Sequence, residues 1–171
     1  FADGARFDTE GVVERINHLI KACRDSGHPV FYIQHDGPKG DVLEPETQGW
    51  EILPHLLPGP QDTIIRKTAC DGFYKSELHG ALQSDGITEL VICGCATDFC
   101  VDTTLRAAAS LDYDIIVAKD AHTTADRPHL DAKTIIVHHN FMWENLILPG
   151  RTVRVAASHE VAQMLVDEKH S

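Results

Sequence analysis

Residues 90–101 carry the clearest chemical signal in this chain: an apolar run ends at Gly94, and Cys100 follows after a short link. Thr97 stands where a helix N-cap would stand, which predicts that Cys100 lies in the first turn of a helix. A thiol there lies near free backbone N–H groups and the positive end of the helix dipole, and both favour the thiolate. Because the thiolate is the nucleophile, we favour a reactive Cys100 over the alternative of a small buried hydrophobe.

A second candidate, Lys67, directly follows the apolar run at residues 63–66. It either extends to solvent beside Arg66 or places its ammonium near Cys100, where the positive charge stabilises a thiolate. Because a thiol is already predicted at a helix N-terminus, we favour the second arrangement.

Helical and strand patterns alternate along the chain. Strands are predicted at residues 30–33, 63–66, 89–93, 114–118 and 153–155. A first helix is predicted between a cap at Asp8 or Thr9 and Gly27, further helices at residues 76–83, 98–111 and 128–145, and a last helix capped by Ser158. Several strands are apolar throughout, which is typical of a parallel sheet buried on both faces. The alternation predicts an α/β fold, a three-layer doubly wound parallel sheet with helices on both faces. Because the first element is a helix, we expect a first strand upstream of Phe1.

The carboxyl ends of parallel strands share one edge of a sheet, and ligands bind there in open α/β folds. That edge is expected to gather His35, Lys67, Phe73, Cys100, Asp120 and His122. Asp120 and His122 also suggest an alternative Cys–His–Asp arrangement around the thiol.

Composition narrows the possible functions. The 171 residues, 43% hydrophobic and 24% charged, predict one domain over residues 1–171. The formal net charge of −11 argues against binding to nucleic acid or to an anionic membrane, because both need a basic face. No apolar stretch is long enough to cross a membrane, and we recognise no secretory signal. The odd number of cysteines, five, then predicts reduced thiols and a cytoplasmic location.

Residues 94–104, Gly-Cys-Ala-Thr-Asp-Phe-Cys-Val-Asp-Thr-Thr, resemble the motif of the isochorismatase-like cysteine hydrolases. Further matches to the same pattern are found at residues 35–38, 66–67, 71–73, 106–108 and 120–121. The resemblance extends from Phe1 to about Ala156, which is nearly the whole chain.

The resemblance implies a catalytic Cys–Lys–Asp triad, with Cys100 as the nucleophile and Lys67 as the lysine. It also implies an oxyanion hole made by the backbone N–H groups of Thr97 and Cys100, and a non-proline cis peptide between Ala96 and Thr97 that aims them. The aspartate of the family pattern falls at the end of the first strand, before Phe1. Neither Asp3 nor Asp8 matches that position.

The resemblance further implies hydrolysis of a C–N bond, because the members that cleave the vinyl ether of isochorismate lack the cysteine that Cys100 matches. We therefore expect a hydrolase that acts on a small amide or ureido compound through a thioester, with Phe73, His35 and Asp120 contacting the substrate. Homodimers or larger homo-oligomers are common in the family and are expected here.

No cofactor is expected. Metal-dependent nicotinamidases carry an Asp-x-His pattern after the second strand, which this chain lacks, and the spacing of its clustered cysteines does not match a zinc knuckle. Two other functions remain open: an inactive small-ligand-binding or scaffold member of the same fold, and a thiol redox protein that uses Cys93, Cys95 and Cys100.

Overall fold

Helices and parallel strands alternate along the part of the chain that the structure, a computed structural model, describes, residues 6–168. The strands are β1 (Phe31–His35), β2 (Thr63–Lys67), β3 (Glu89–Cys95), β4 (Asp114–Thr123) and β5 (Val153–Ala156). The α-helices are α1 (Thr9–Ser26), α2 (Leu78–Ser84), α3 (Asp102–Ser110), α4 (Ala132–Glu144) and α5 (Ser158–Glu168). A 3-10 helix covers Pro54–Leu56, and a π-helical turn, Thr97–Val101, leads into α3.

The strands form two parallel sheets, one with the order β1-β2 and the other with the order β3-β4-β5. Both sheets lie between the same two apolar clusters. Tyr32 of β1 and Val91 of β3 face the cluster that includes α1 and α5. Ile33 and Ile92 face the cluster that includes α2, α3 and α4. This arrangement confirms the predicted three-layer α/β fold, while the first strand expected upstream of Phe1 lies outside the described residues.

Helix α1 forms where the apolar spacing predicts it. Val12, Ile16 and Leu19 recur at helical intervals and are buried against α5 and the sheet. Gly27 ends the helix in the left-handed conformation, with φ of 80°, and its N–H donates to the Arg24 carbonyl. Glycine suits this position because it adopts a positive φ without a steric penalty from Cβ.

Helix α4 begins at Ala132, so the start predicted at Pro128 is wrong. Asp131 caps the helix by accepting a hydrogen bond from the Thr134 N–H at 2.9 Å. The preceding residues instead form a bridge in which the Arg127 N–H donates to the Leu130 carbonyl at 2.8 Å. The aspartate cap therefore determines where the helix starts, whereas the proline lies in a turn.

Strand β4 extends to Thr123, five residues beyond its predicted end at 118. Its polar end continues beside β3, where Gly94 pairs with His122 and Cys95 pairs with Thr123 after an irregularity in register. None of the helices within residues 6–168 combines the length and apolar character needed to cross a membrane.

Candidate active site

Three strands end close together at the carboxyl edge predicted to hold the site. His35 and Lys67 are register partners at the ends of β1 and β2. The Lys67 charge acts on the His35 ring and on the Cys70 thiol, and Cys70 in turn lies beside Cys100. The structure therefore pairs His35 with Lys67 and places a residue that was not predicted, Cys70, next to both Lys67 and Cys100.

Lys67 points into the protein. Its side chain follows the alternation of β2, in which Ile65 and Lys67 are buried and Arg66 is exposed, and Lys67 is only 5% exposed. Its Nζ donates to the Ala69 carbonyl at 2.8 Å and to the Cys70 carbonyl at 3.0 Å. The ammonium thus holds the loop after β2 from inside, and the alternative in which Lys67 extends to solvent is wrong.

Cys100 lies in the π-helical turn, which opens the helix more widely than an α-helix would. The Ala96 carbonyl accepts hydrogen bonds from the N–H groups of Phe99 at 3.1 Å and Val101 at 3.0 Å. These bonds fall on either side of Cys100, so the Ala96 carbonyl does not take the Cys100 N–H. Ala96 is the N-cap and Thr97 is the first helical residue, which corrects the prediction that Thr97 is the cap.

The non-proline cis peptide joins Cys95 to Ala96. Its predicted position between Ala96 and Thr97 is therefore wrong by one residue. The Ala96 carbonyl already accepts helical N–H groups, so the Ala96–Thr97 peptide unit is part of the helix. The cis bond lies in the preceding link, where β3 ends.

A buried chain of polar groups holds the Thr97 side chain. Thr97 Oγ1 lies 2.9 Å from His122 Nδ1, and His122 Nε2 lies 3.0 Å from Asn140 Oδ1. The Asn140 amide group donates to the Lys119 carbonyl at 3.0 Å, which leaves Oδ1 to accept from the ring. His122 therefore carries its proton on Nε2 and accepts from the Thr97 hydroxyl. With both nitrogens engaged, His122 is a structural group, and the Cys–His–Asp alternative loses its histidine.

Burial dominates the protonation of His122. Removal of the ring from water lowers its pKa to about 4, against a smaller opposing effect of the hydrogen bond with Asn140. The edge of the ring also packs on Trp143, with 5.1 Å between ring centroids. The imidazole is neutral at neutral pH, as its hydrogen bonds require.

The other side of the π-helical turn is fixed by Asp98. Its carboxylate accepts from Thr124 Oγ1 at 2.6 Å and from Arg127 at 2.7 and 3.0 Å. Burial alone would raise the pKa of Asp98, but the hydrogen bonds from Arg127 and Thr124 outweigh it and lower that pKa. The Arg127 guanidinium also lies 4.8 Å from the Phe99 ring centroid. The turn is therefore held at the two residues that precede Cys100, Asp98 and Phe99.

Cys70 and Thr104 are the site residues that sequence reasoning missed. The Thr104 hydroxyl donates to the Cys70 carbonyl at 3.3 Å and accepts from the Gly72 N–H at 2.9 Å. Thr104 lies four residues after Cys100, a spacing that places two residues on one face of a helix. That spacing, together with a cysteine three residues after Lys67, is the signal that could have predicted the contact.

His35, Phe73 and Asp120 differ in their surroundings. The Nδ1 atom of His35 is buried without a hydrogen-bond partner among residues 6–168, and burial followed by the Lys67 charge lowers the pKa of this histidine. Asp120 accepts from the Ser158 N–H at 2.7 Å and from the Ser158 hydroxyl at 3.0 Å, at the start of α5.

Phe73 stacks on Tyr113, with 5.9 Å between centroids, and lines an open pocket of about 370 Å³. The lining of this pocket does not include Cys100. The substrate-contact roles of His35, Phe73 and Asp120 stay predictions.

The loop at residues 37–62 is anchored beside His35. Trp50 Nε1 donates to the Asp36 carboxylate at 2.9 Å, and Arg66 Nε donates to the same carboxylate at 2.6 Å. The guanidinium of Arg66 lies 4.5 Å from the centroid of the Trp50 ring. A hydrogen bond from Arg66, outweighing partial burial, lowers the pKa of Asp36. The anchor holds this loop at the mouth of the predicted site.

Comparison with known proteins places the chain in a family. Residues 2–143 match the family described as the isochorismatase domain. A streptothricin hydrolase of Streptomyces noursei is 38% identical over 130 residues, which cover 75% of this chain and 47% of the hydrolase. A ureidoacrylate amidohydrolase of Variovorax paradoxus is 31% identical over 153 residues, which cover 71% of this chain and 61% of that enzyme. The chain thus spans about half the length of the streptothricin hydrolase that it matches.

Solved structures show the same architecture. The crystal structure of an isochorismatase family protein has a TM-score of 0.80 and 30% identity, covering 90% of this chain and 87% of that one. N-carbamoylsarcosine amidase of Thermoplasma acidophilum has a TM-score of 0.72 at 24% identity, covering 87% and 83%, and shows the fold alone.

The buried His122 makes stability depend on pH. Because its pKa is lowered to about 4 in the folded protein, the unfolded chain binds this proton first as the pH falls. The contribution to the free energy of unfolding is complete above about pH 6.5 and is lost towards pH 4, on the order of 3 kcal/mol in all. Urea unfolding between about pH 7 and 5 measures the slope.

His122→Asn should reduce this dependence between about pH 6.5 and 5 and leave the part due to His35, whose pKa is also lowered, while His138→Asn, at an exposed site on the same face of the sheet, should leave it unchanged. A native chain whose stability is constant across that interval contradicts the assignment of a neutral, buried His122.

Proposed function

We propose that this chain, which belongs to the isochorismatase family, is a hydrolase that cleaves the C–N bond of a small amide or ureido compound with Cys100 as its nucleophile. The observation that carries the proposal is the position of Cys100, in a widened first helical turn against the loop that the buried Lys67 holds. Two of the similar proteins are named as a streptothricin hydrolase and a ureidoacrylate amidohydrolase, which supports the reaction class.

In the proposed reaction, the Cys100 sulfur attacks the carbonyl carbon of the substrate. The backbone N–H groups of Cys100 and Thr97 stabilise the negative charge that develops on the carbonyl oxygen. The Ala96 carbonyl does not compete for the Cys100 N–H, because it accepts from the N–H groups of Phe99 and Val101 instead. The C–N bond breaks, the amine leaves with a proton, and a thioester remains on the sulfur. Water then cleaves the thioester and restores the thiol.

Lys67 supplies the positive charge near the reacting groups. A buried ammonium needs hydrogen-bond partners and a compensating anion. It donates to the neutral carbonyls of Ala69 and Cys70, and no carboxylate within residues 6–168 forms an ion pair with it. We propose that the third N–H group of the Lys67 ammonium faces an anion of the reaction. This anion is either the Cys100 thiolate or the aspartate of the family's Cys–Lys–Asp triad.

The proposal extends to assembly and location. Val137 and Phe141, one turn apart on α4, are each 62% exposed, whereas Trp143 of the same helix is fully buried. This apolar face suits contact between copies of the chain, and we propose a cytoplasmic homodimer or larger homo-oligomer with a small-molecule substrate. The absence of a metal or other cofactor stays a prediction.

The oligomer is tested by analytical ultracentrifugation. The native chain should sediment as a dimer or larger species, and Phe141→Asp should shift it towards the monomer because a charge opposes apolar burial. The control Leu57→Asp alters an equally exposed leucine in the 37–62 loop and should change nothing. A native chain that sediments as a monomer contradicts the assembly.

The nucleophile is tested by ammonia release from a panel of carboxamides and ureido compounds. Cys100→Ala should lower turnover at least about a thousandfold, because the thioester of the proposed reaction forms on the Cys100 sulfur. The control Cys23→Ala replaces a partly buried cysteine of α1, and its turnover should stay within about twofold of the native rate. Circular dichroism checks that both variants fold.

Two results would count against the proposal. One is a Cys100→Ala variant that retains a tenth or more of the native turnover. The other is a native chain that releases no more ammonia than the alanine variant from any compound of the panel, which would favour the inactive-binding alternative.

A further inference from the structure

The Cys70 thiol lies beside the nucleophile and has no part in the proposed hydrolysis. The two thiols lie near enough for the charge of Cys100 to act on Cys70, after burial, in raising the pKa of Cys70. Both cysteines are free and partly buried, so a small oxidant can reach them although their exposure to bulk solvent is limited. The pair therefore joins a predicted reactive thiol to a second thiol in contact with it.

The contact is built by several elements. Lys67 Nζ and the Thr104 hydroxyl both donate to the Cys70 carbonyl, at 3.0 and 3.3 Å. The Gly72 N–H donates to the same hydroxyl at 2.9 Å. Because Thr104 lies one helical turn after Cys100, these bonds fix the loop after β2 against the face of the helix that carries the nucleophile.

We propose that Cys70 and Cys100 form a reversible disulfide when the chain meets a hydroperoxide, with Cys70 as the thiol that resolves oxidised Cys100. The inference rests on the proposed function only in taking Cys100 to be the reactive thiolate. It adds an oxidation site and a small oxidant, a hydroperoxide, to the chemistry of the protein.

The chemistry takes two steps. The Cys100 thiolate attacks one oxygen of the hydroperoxide, the O–O bond breaks, and Cys100 becomes a sulfenic acid as hydroxide or alkoxide leaves. The Cys70 sulfur then attacks the Cys100 sulfur and forms the S–S bond. The sulfenic oxygen leaves as water with the proton of the Cys70 thiol. Two electrons pass from the thiol pair to the peroxide, and an external dithiol returns them by exchange.

Cys70 suits the resolving role better than the other neighbouring thiol, Cys95. Cys95 also feels the charge of Cys100, but it lies in β3, where it pairs with Thr123 in the sheet register. Cys70 lies in an irregular loop that is anchored through its backbone carbonyl, so its side chain can rotate towards the Cys100 sulfur and form an S–S bond of about 2.05 Å without breaking any pairing between strands. Burial, followed by the charge of Cys100, raises the pKa of Cys70. The Cys70 sulfur therefore attacks as its proton passes to the sulfenic oxygen, which leaves as water.

The experiment treats the native chain, Cys70→Ser and Cys95→Ser with a small excess of hydrogen peroxide. Non-reducing peptide mapping by mass spectrometry then identifies disulfides and oxidised cysteines. In the native chain and in Cys95→Ser we expect a peptide pair joined through Cys70 and Cys100, which dithiothreitol separates. In Cys70→Ser we expect dimedone-reactive sulfenic acid at Cys100, followed by sulfinic and sulfonic acids that dithiothreitol does not reduce.

Hydrolytic activity gives a second readout. Dithiothreitol should restore at least about four fifths of the activity of oxidised native chain and less than a fifth of that of oxidised Cys70→Ser. A map that joins Cys100 to Cys95, or that shows no Cys70–Cys100 pair, overturns the proposal, as does equal recovery in both proteins. Mapping needs no substrate, so a chain that forms the disulfide but hydrolyses nothing contradicts the proposed function alone.

Discussion

The buried ammonium of Lys67 is the constraint on which the site depends. A charge taken out of water must be met by polar groups, and here the carbonyls of Ala69 and Cys70 meet it. Those two bonds draw the loop after β2 inwards, and the Thr104 hydroxyl completes the attachment to the neighbouring helix. One strand residue thus places a positive charge beside the Cys70 thiol and determines the path of the loop that carries Cys70.

The backbone around Cys100 is held independently of that loop. Thr97 is fixed from below by His122, and Asp98 is fixed from the side by Arg127 and Thr124. These contacts come from β4 and from the residues that follow it, so the long polar end of that strand serves as a support for the turn. A nucleophile needs a constant orientation, and buried, fully bonded neighbours provide it.

Elements with strong periodicity were predictable from the chain. The apolar stripe of α1 and the apolar runs of the strands establish the layers, and the site motif follows from the junction after β3. The misses share one cause, which is that long-range contacts override local signals. Helix α4 starts at Ala132 rather than at the predicted Pro128 because Asp131 caps it. Strand β4 is longer than predicted because β3 pairs with its polar end. The burial of Lys67 and the contact of Cys70 with Cys100 depend on packing between elements, which spacing alone does not encode.

The central claim is that Cys100 is reactive because the Lys67 loop and the π-helical turn surround it. The direct measurement is the rate of iodoacetamide alkylation of each cysteine near neutral pH, followed by mass spectrometry in the native chain, in Lys67→Met and in the control Lys21→Met, which removes an exposed lysine of α1. Burial raises the pKa of Cys93 to about 12, which makes that thiol an internal slow reference. Cys100 should react at least about tenfold faster than Cys93, and Lys67→Met, but not Lys21→Met, should slow it about tenfold. Alkylation of Cys100 as slow as that of Cys93, or unchanged in Lys67→Met, contradicts the claim.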